Sequence, residues 1–544
     1  MTEAWRTDAP LRDSMEHCPM NVKSIVVLVT AASFTIGAFA LPACATPATY
    51  LDRAKQKGQT TAKPGASLGA AIQAAVDASG LKNASIGVSV REVGSGAAVA
   101  DISGARLMTP ASNMKVLTTA AALRVLGADW KFSTRLVGNK DRLTVIADGD
   151  PSLGDPEILD EIVHTDAAGV RKQGLTTEEL IDIWAAAAKR AGMTQVRELV
   201  VDDRIFDREF THPGWPADQL DEKYCAEIAG LTFSVNLLQG RVTAAGNRPE
   251  IATWMPAAPW LEVDTSKATA TNGKNSKQSI WIGRTDSPSR FTLNGNMKAV
   301  PVEPIAVCVR DMPTFFARYV SERMRLAGVN VASARIATST DPAAGAKGTV
   351  PGDTVGPPIT TALARVVKQC NTESQNLYAE SLLKRIGAKR SGKSGTWANG
   401  AAAIAAEVDA ALGAGTAAKG LVVADGSGLC KEDRVAPNLM TAWLRAIAND
   451  AKISQAFINS LAVAGVSGTV QKRFKDLDTE HVFVPCKTGY INGVSCLSGL
   501  VGRPGETPRF AFSVLCNDLT KDKDGVGKAK ALQEKIVMIL AAGM

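Results

Sequence analysis

Between residues 85 and 100 the apolar positions follow a two-residue period. Ile86, Val88 and Val90 fall on one side of an extended segment, Gly94-Ser95-Gly96 supplies a turn, and the run AAVADI completes a hairpin. The period changes at Thr109-Pro110. Threonine suits an N-cap and proline the first helical position, so a helix is predicted through ASNMKVLTTAAALRVLG to Gly127. That helix is apolar nearly all round and is therefore expected to be buried.

From about 130 to 350 the texture becomes strand-rich. Short runs (RLTVIAD, ELVVDD, RFTLNG, PIAVCVRD) alternate with loops rich in Pro, Gly and Asp. Helical patterns interrupt them at 181–191 and 312–327, and an Ala/Gly/Pro-rich connection spans 341–358. Helices then return in TTALARVVKQC, NLYAESLLKRIG and 399–412. Three strands at hairpin spacing follow (VFVPCKTGY, VSCLSGLVG, RFAFSVLCND), with a turn at Arg503-Pro504-Gly505. An amphipathic helix at 529–540 is expected to pack on that sheet rather than on a membrane. Both ends are thus mixed α and β, around a strand-rich middle.

The length, 544 residues, implies more than one core. Hydrophobic residues at 45% and charged residues at 21% are those of a soluble globular chain. The net charge of +7 is scattered, and the basic stripe of a nucleic-acid binder is missing. Residues 24–41 carry no charge, Lys23 precedes them and Ala43-Cys44-Ala45 follows, the layout of a secretory signal peptide. Glu3, Asp8, Asp13 and Glu16 make the first 19 residues too acidic for a leading region, so translation is expected to start at Met20 within a leader assigned to 1–45. Export to the periplasm is expected. The alternatives are an uncleaved anchor, or a lipoprotein box at Leu41-Pro42-Ala43-Cys44 with lipid on Cys44; membrane attachment is expected only in those cases. Seven cysteines remain after the leader: Cys225, Cys308, Cys370, Cys430, Cys486, Cys496 and Cys516. The odd number requires a free thiol or an intermolecular bond. Cys496 and Cys516 flank the last hairpin turn, where either a cross-strand bond or two buried thiols is open.

Three small motifs carry chemistry. Ser112-Asn113-Met114-Lys115 sits at the start of the buried helix, where positions i and i+3 share a face and the lysine reaches the serine. Serine needs an adjacent base, and a desolvated lysine can serve as one. Ser374-Gln375-Asn376 lies between two helices; its bland reading is an N-cap of NLYAES. Lys487-Thr488-Gly489 ends a strand, where Lys and Thr can hold a carboxylate and Gly allows close backbone approach. Each is weak alone. Their order, each in its own structural setting, is the triple signature of penicillin-recognising serine enzymes.

More than two hundred residues separate Ser112 from Ser374, too many for a class A β-lactamase. From about residue 65 onward the chain resembles the class C low-molecular-mass penicillin-binding proteins, of the penicillin-binding protein 4 type. TPASNMK, Gly149-Asp150-Pro151-Ser152-Leu153, the HPGWP run at 212–216, SQNLYAE and Asp425-Gly426-Ser427-Gly428-Leu429 share in the resemblance. Cys430-Lys431 and Cys486 depart from it without removing a catalytic group. The resemblance implies an α/β fold: a penicillin-recognising, serine transpeptidase-like domain with an antiparallel sheet flanked by helices, from 50–140 and 350–544. A strand-rich insert at 141–349 separates the first two motifs.

The resemblance also implies a D-Ala-D-Ala carboxypeptidase/endopeptidase acting on peptidoglycan stem peptides and cross-links, acylated by β-lactams, with no cofactor and no metal. Ser112 is then the nucleophile, Lys115 its base, Ser374 a proton relay and Asn376 a holder of the substrate amide. Lys487 and Thr488 bind the terminal carboxylate beside Gly489, and the N–H groups of Ser112 and Tyr490 form the oxyanion hole. The resemblance leaves open the balance of the two activities, the deacylating base and the oligomeric state. The rivals are a β-lactamase-like hydrolase and a catalytically silent wall-binding relative. A Ser-His-Asp enzyme is disfavoured because His164, His212 and His481 lie in no suitable setting. His481 is read as an ordinary residue of the Lys487 strand and His212 as structural. A zinc peptidase lacks HExxH and the histidines.

Overall fold

The strand Val494–Val501 is buried along its whole length, and the sheet around it organises the chain. This is a computed structural model that describes residues 67–165, 169–246, 248–342 and 353–544. The leader at 1–45, Cys44 with it, the stretch 46–66 and most of the 341–358 connection lie outside the described residues.

Six antiparallel strands make the main sheet. Their spatial order is Ala98–Ile102, Ser85–Glu92, Phe510–Asn517, Val494–Val501, Pro485–Ile491 and Ala462–Val463. Because successive side chains point to opposite faces, the central strands feed two cores. Phe510, Phe512, Val514, Leu497 and Val501 join the cluster under the helices Leu68–Asp77 and Gly525–Ala542. Ala511, Leu515, Val494 and Leu500 join a helical layer on the other face. There the helix Met114–Leu126, buried from Met114 to Leu123, packs against Asn376–Ser391, Trp397–Leu412, Leu363–Thr372 and Pro437–Ala448. With both faces covered, near-continuous apolar strands are what packing requires. The C-terminal helix buries Ala529, Leu532, Ile536, Val537 and Leu540 against the sheet. Among the described residues no helix is long and apolar enough to cross a membrane.

The region between the first two motifs has its own core around Trp184, Phe233, Phe316 and Tyr319. Its largest sheet runs Ala334–Ile336, Leu199–Asp202, Leu143–Ile146, Lys131–Gly138 and Asp353–Thr354, with Ile359–Ala362 also paired to Lys131–Gly138. Thr177–Arg190, opened by a Thr176/Glu179 capping box, and Met312–Leu326 cover this region. Two three-stranded sheets built from 237–308 complete it.

Several local expectations need correction. At the boundary drawn at 140, the strand Lys131–Gly138 before it pairs with Leu143–Ile146 after it, and Ile359–Ala362 joins the same strand from the other end of the insert. The first residues of TTALARVVKQC accordingly form a strand, and the helix starts at Leu363. Thr109 does not cap the Ser112 helix; a 3₁₀ turn, Ala111–Asn113, leads into it without a side-chain cap. His481 precedes the Lys487 strand, in an exposed turn where its Nδ1 meets Asp478 at 2.8 Å. Cys496 and Cys516 do not face each other: the register sets Ser495 opposite Cys516, so the two thiols enter different cores.

All seven post-leader cysteines are free and buried. The native protein is therefore expected to react slowly with a thiol reagent and to expose seven thiols per chain in denaturant. A thiol titration with and without denaturant checks this; two fewer thiols after unfolding without reductant would mean a disulfide.

Candidate active site

The helix of Ser112 begins under constraint. Ala111 sits at φ 46°, a left-handed conformation that costs a non-glycine residue about 1–2 kcal/mol. Packing from two sides holds it there. A Cβ on Gly428 would lie 1.8 Å from the Ala111 carbonyl oxygen, and one on Gly489 would lie 2.6 Å from that of Pro110 and 2.9 Å from Asn113 Nδ2. Glycine at 428 and 489 is thus what lets the loop after Ala424 and the strand Pro485–Ile491 close on the first motif. Asn113 then donates through Nδ2 to the Lys487 carbonyl at 3.0 Å, tying helix to strand.

Lys115 lies one turn along, wholly buried. Its Nζ is 2.9 Å from Ser112 Oγ, 2.7 Å from Asn376 Oδ1 and 2.9 Å from the Ser427 carbonyl oxygen. Burial pushes its pKa below the ordinary lysine value. A neutral lysine has two N–H donors and one lone pair, which matches two carbonyl-type acceptors and one hydroxyl. The arrangement can therefore take a proton from Ser112.

A second serine–lysine pair lies beside the first. Ser374, at φ 60°, does not cap the following helix; Gln375 occupies that position. The Ser374 Oγ instead accepts from Lys487 Nζ at 2.8 Å, and Lys487 also donates to the Thr488 carbonyl at 3.0 Å. Lys487 is wholly buried too, and its pKa is pushed down to about 7, first by burial and then by the charge of Lys115. Asn376 Nδ2 donates to the Tyr224 carbonyl at 2.9 Å, which fixes the amide with Oδ1 toward Lys115 and leaves one N–H free. Thr488 donates to Thr469 at 2.9 Å, and Tyr490 is exposed at the rim. Ser112, Lys115, Ser374, Asn376 and Lys487 thus share one cleft with Thr488 and Gly489.

Sequence reading missed the partners that use backbone atoms: the carbonyls of Ser427 and Tyr224. It also gave no role to Glu380, Asp425, Thr469 or Asn371. Asn371 joins Thr119 and Ser460 beneath the site, at 3.1 and 2.8 Å. The DGSGL and HPGWP stretches were signals without an assigned chemistry. Trp215 of HPGWP donates to Asp425 at 2.9 Å, and His212 meets Trp397 edge-on at 5.0 Å. His212 Nδ1 accepts from Gly214 N–H at 3.0 Å, a structural contact.

A family model, the D-Ala-D-Ala carboxypeptidase 3 (S13) family, matches residues 68–541. The chain belongs to that family. It is a serine-type D-Ala-D-Ala carboxypeptidase, a hydrolase, and a class C low-molecular-mass penicillin-binding protein. It is similar to the D-alanyl-D-alanine carboxypeptidase of Actinomadura sp. (strain R39), 29% identical over 416 residues, which are 72% of this chain and 70% of that protein. In fold this S13 protein is similar to penicillin-binding protein 4 of Haemophilus influenzae, with a TM-score of 0.65 at 19% identity, covering 86% of this chain and 99% of that one. The same Haemophilus protein complexed with a β-lactam matches with a TM-score of 0.61 at 18% identity, over 86% and 98% of the two chains.

Two outcomes are expected of this S13 site. Gly489→Ala must push Pro110 and Asn113 away, so penicillin acylation should slow by at least about tenfold while the fold survives; stopped-flow labelling and a melting curve measure both. The second outcome concerns pH. Lys487 binds its proton with a pKa of about 7 when folded and near the ordinary 10.5 when unfolded. Between those values the unfolded chain holds more protons, so this group makes stability rise with pH. In Lys487→Met that rise should be shallower between pH 7 and 10, as read from urea midpoints.

Proposed function

We propose that the protein is exported and hydrolyses the bond after a D-alanyl carbonyl in peptidoglycan, as carboxypeptidase on stem peptides and as endopeptidase on cross-links. The observation that carries this reading is the buried Lys115 amine 2.9 Å from Ser112 Oγ. In acylation Ser112 Oγ attacks the carbonyl carbon and Lys115 Nζ takes its proton. The N–H groups of Ser112 and Tyr490 receive the oxyanion, which suits a helix start facing the end of a strand. The proton held on Lys115 passes by way of the Ser374 hydroxyl, itself hydrogen-bonded to Lys487, to the departing nitrogen, and the C–N bond breaks. Lys487 and Thr488 hold the substrate's terminal carboxylate, and the free N–H of Asn376 holds its amide carbonyl. Water then cleaves the ester, returns a proton to Ser112 and releases the D-alanyl acid.

The two activities differ only in the leaving amine: free D-alanine, or the side chain of a neighbouring stem. β-Lactams enter by the same attack and open their ring instead of losing a fragment. The export part of the proposal rests on the apolar stretch 24–41 with its Ala43-Cys44-Ala45 end. Attachment to a membrane would follow only from lipid at Cys44 or an uncleaved leader.

Mature wild type should form a stable covalent adduct with a fluorescent penicillin, and Ser112→Ala and Lys115→Ala should not. Intact-mass spectrometry and gel fluorescence read the adduct. Rapid loss of the label with release of penicilloic acid would make the protein a β-lactamase. Absence of label in wild type would make it a silent wall-binding relative.

A further inference from the structure

Beneath Lys115 lies a layer of buried carboxylates for which the proposed reaction has no direct use. Glu380 is one turn beyond Asn376 on the same helix face, and neither it nor Asp425 is exposed. Glu380 accepts the N–H groups of Gly426 (2.9 Å) and Ser427 (2.7 Å) and the indole N–H of Trp397 (2.9 Å). Asp425 accepts the N–H groups of Ser427 (3.1 Å), Gly428 (2.6 Å) and Cys430 (2.7 Å) and the indole N–H of Trp215.

A trans peptide points its N–H and C=O in opposite directions. Holding the Ser427 N–H on Glu380 therefore turns the Gly426 carbonyl outward, where it accepts from the Thr118 hydroxyl at 2.7 Å. Holding the Gly428 N–H on Asp425 turns the Ser427 carbonyl onto Lys115 Nζ.

We propose that Glu380 and Asp425 are positioning residues for the acylating base: they clamp two successive peptide groups so that the Ser427 carbonyl faces Lys115, and their negative charge favours the ammonium form of Lys115. The inference rests on Lys115 being that base. Every charged or titratable neighbour of Lys115 enters the balance. Glu380 faces it from the Asn376 helix, Asp425 and Asp433 from the loop, Cys370 from the helix Leu363–Thr372, and Lys487 from the strand. Burial pushes the Cys370 thiol up to about 12, so it stays neutral. Burial, and after it the charge of Asp425, raise the Asp433 pKa well above the usual carboxylate value. Lys487 opposes the carboxylates. Burial raises the Glu380 pKa as well, so its charge counts fully only above neutral pH.

The test is the acylation rate constant of the mature protein with a fluorescent penicillin, followed from about pH 5 to pH 10. Glu380→Gln removes a negative charge. The midpoint of the acid limb should then fall by at least about half a unit, a roughly threefold change in proton affinity. Thr118→Val loosens the same loop without changing charge; it should lower the rate and leave the midpoint in place. An unmoved midpoint in Glu380→Gln, or an equal shift in Thr118→Val, overturns the inference. Should Glu380→Gln fail to fold, Asp425→Asn carries the same expectation and the same refutation. Lys115→Ala separates the two levels: if it acylates as wild type does, the base assignment fails, whereas loss of acylation together with an unmoved Glu380→Gln midpoint rejects only the positioning role.

Discussion

Taking an ammonium group out of water costs several kcal/mol unless donors and charges around it are matched, and this fold does so twice, side by side. Lys115 and Lys487 have no exposed surface, and each lies within hydrogen-bond reach of a serine. Burial first, and then the charge of Lys115, push the Lys487 pKa down. The rest of the cleft can be understood as the set of groups that makes this arrangement tolerable. Carbonyl oxygens cap the free N–H positions, carboxylates lie one layer below, and apolar helices hold the whole set dry.

Those groups come from segments far apart in sequence, which is why the fold needs its particular order of elements. The Ser112 helix lies between the sheet and the Asn376 helix. The strand Pro485–Ile491 reaches it because residue 489 has no side chain to collide with Pro110. The loop after Ala424 is drawn in by the carboxylates of Glu380 and Asp425. A change at any of these contacts moves a lysine relative to its serine, and a misplacement of about 1 Å can cost on the order of a hundredfold in rate.

Much of this was legible in the sequence for a physical reason. Motifs that need a side-chain hydroxyl, amine or amide at fixed spacing can be read directly, and Ser112, Lys115, Ser374, Asn376, Lys487, Thr488 and Gly489 all lie in one cleft. The two-residue and helical periods identified the central strands and the buried helix. What was missed involves groups every residue possesses. The carbonyls of Ser427 and Tyr224 leave no trace in residue type, and the left-handed turns at Ala111 and Ser374 occur at residues that rarely adopt them. The strand at 359–362 was hidden because its pairing partner lies more than two hundred residues away. Local pattern cannot reveal such a partner.

The insert makes the same point at larger scale. By texture it is a separate strand-rich block between two motifs, and its own core supports that view. Yet the Tyr224 carbonyl fixes the Asn376 amide, Trp215 completes the hydrogen bonds of Asp425, and Asp207 pairs with the buried Lys384 at 2.7 Å on the Asn376 helix. Lys384 also lies over the Trp397 ring at 3.6 Å, and Trp397 in turn donates to Glu380. The insert therefore supplies one wall of the cleft and part of the network under the base. Without that wall, Asn376 Nδ2 would lose the acceptor that, together with the Lys115 amine donating to Oδ1, orients the amide. A block that looks like an addition to the catalytic domain is, by its contacts, part of what sets the protonation geometry inside it.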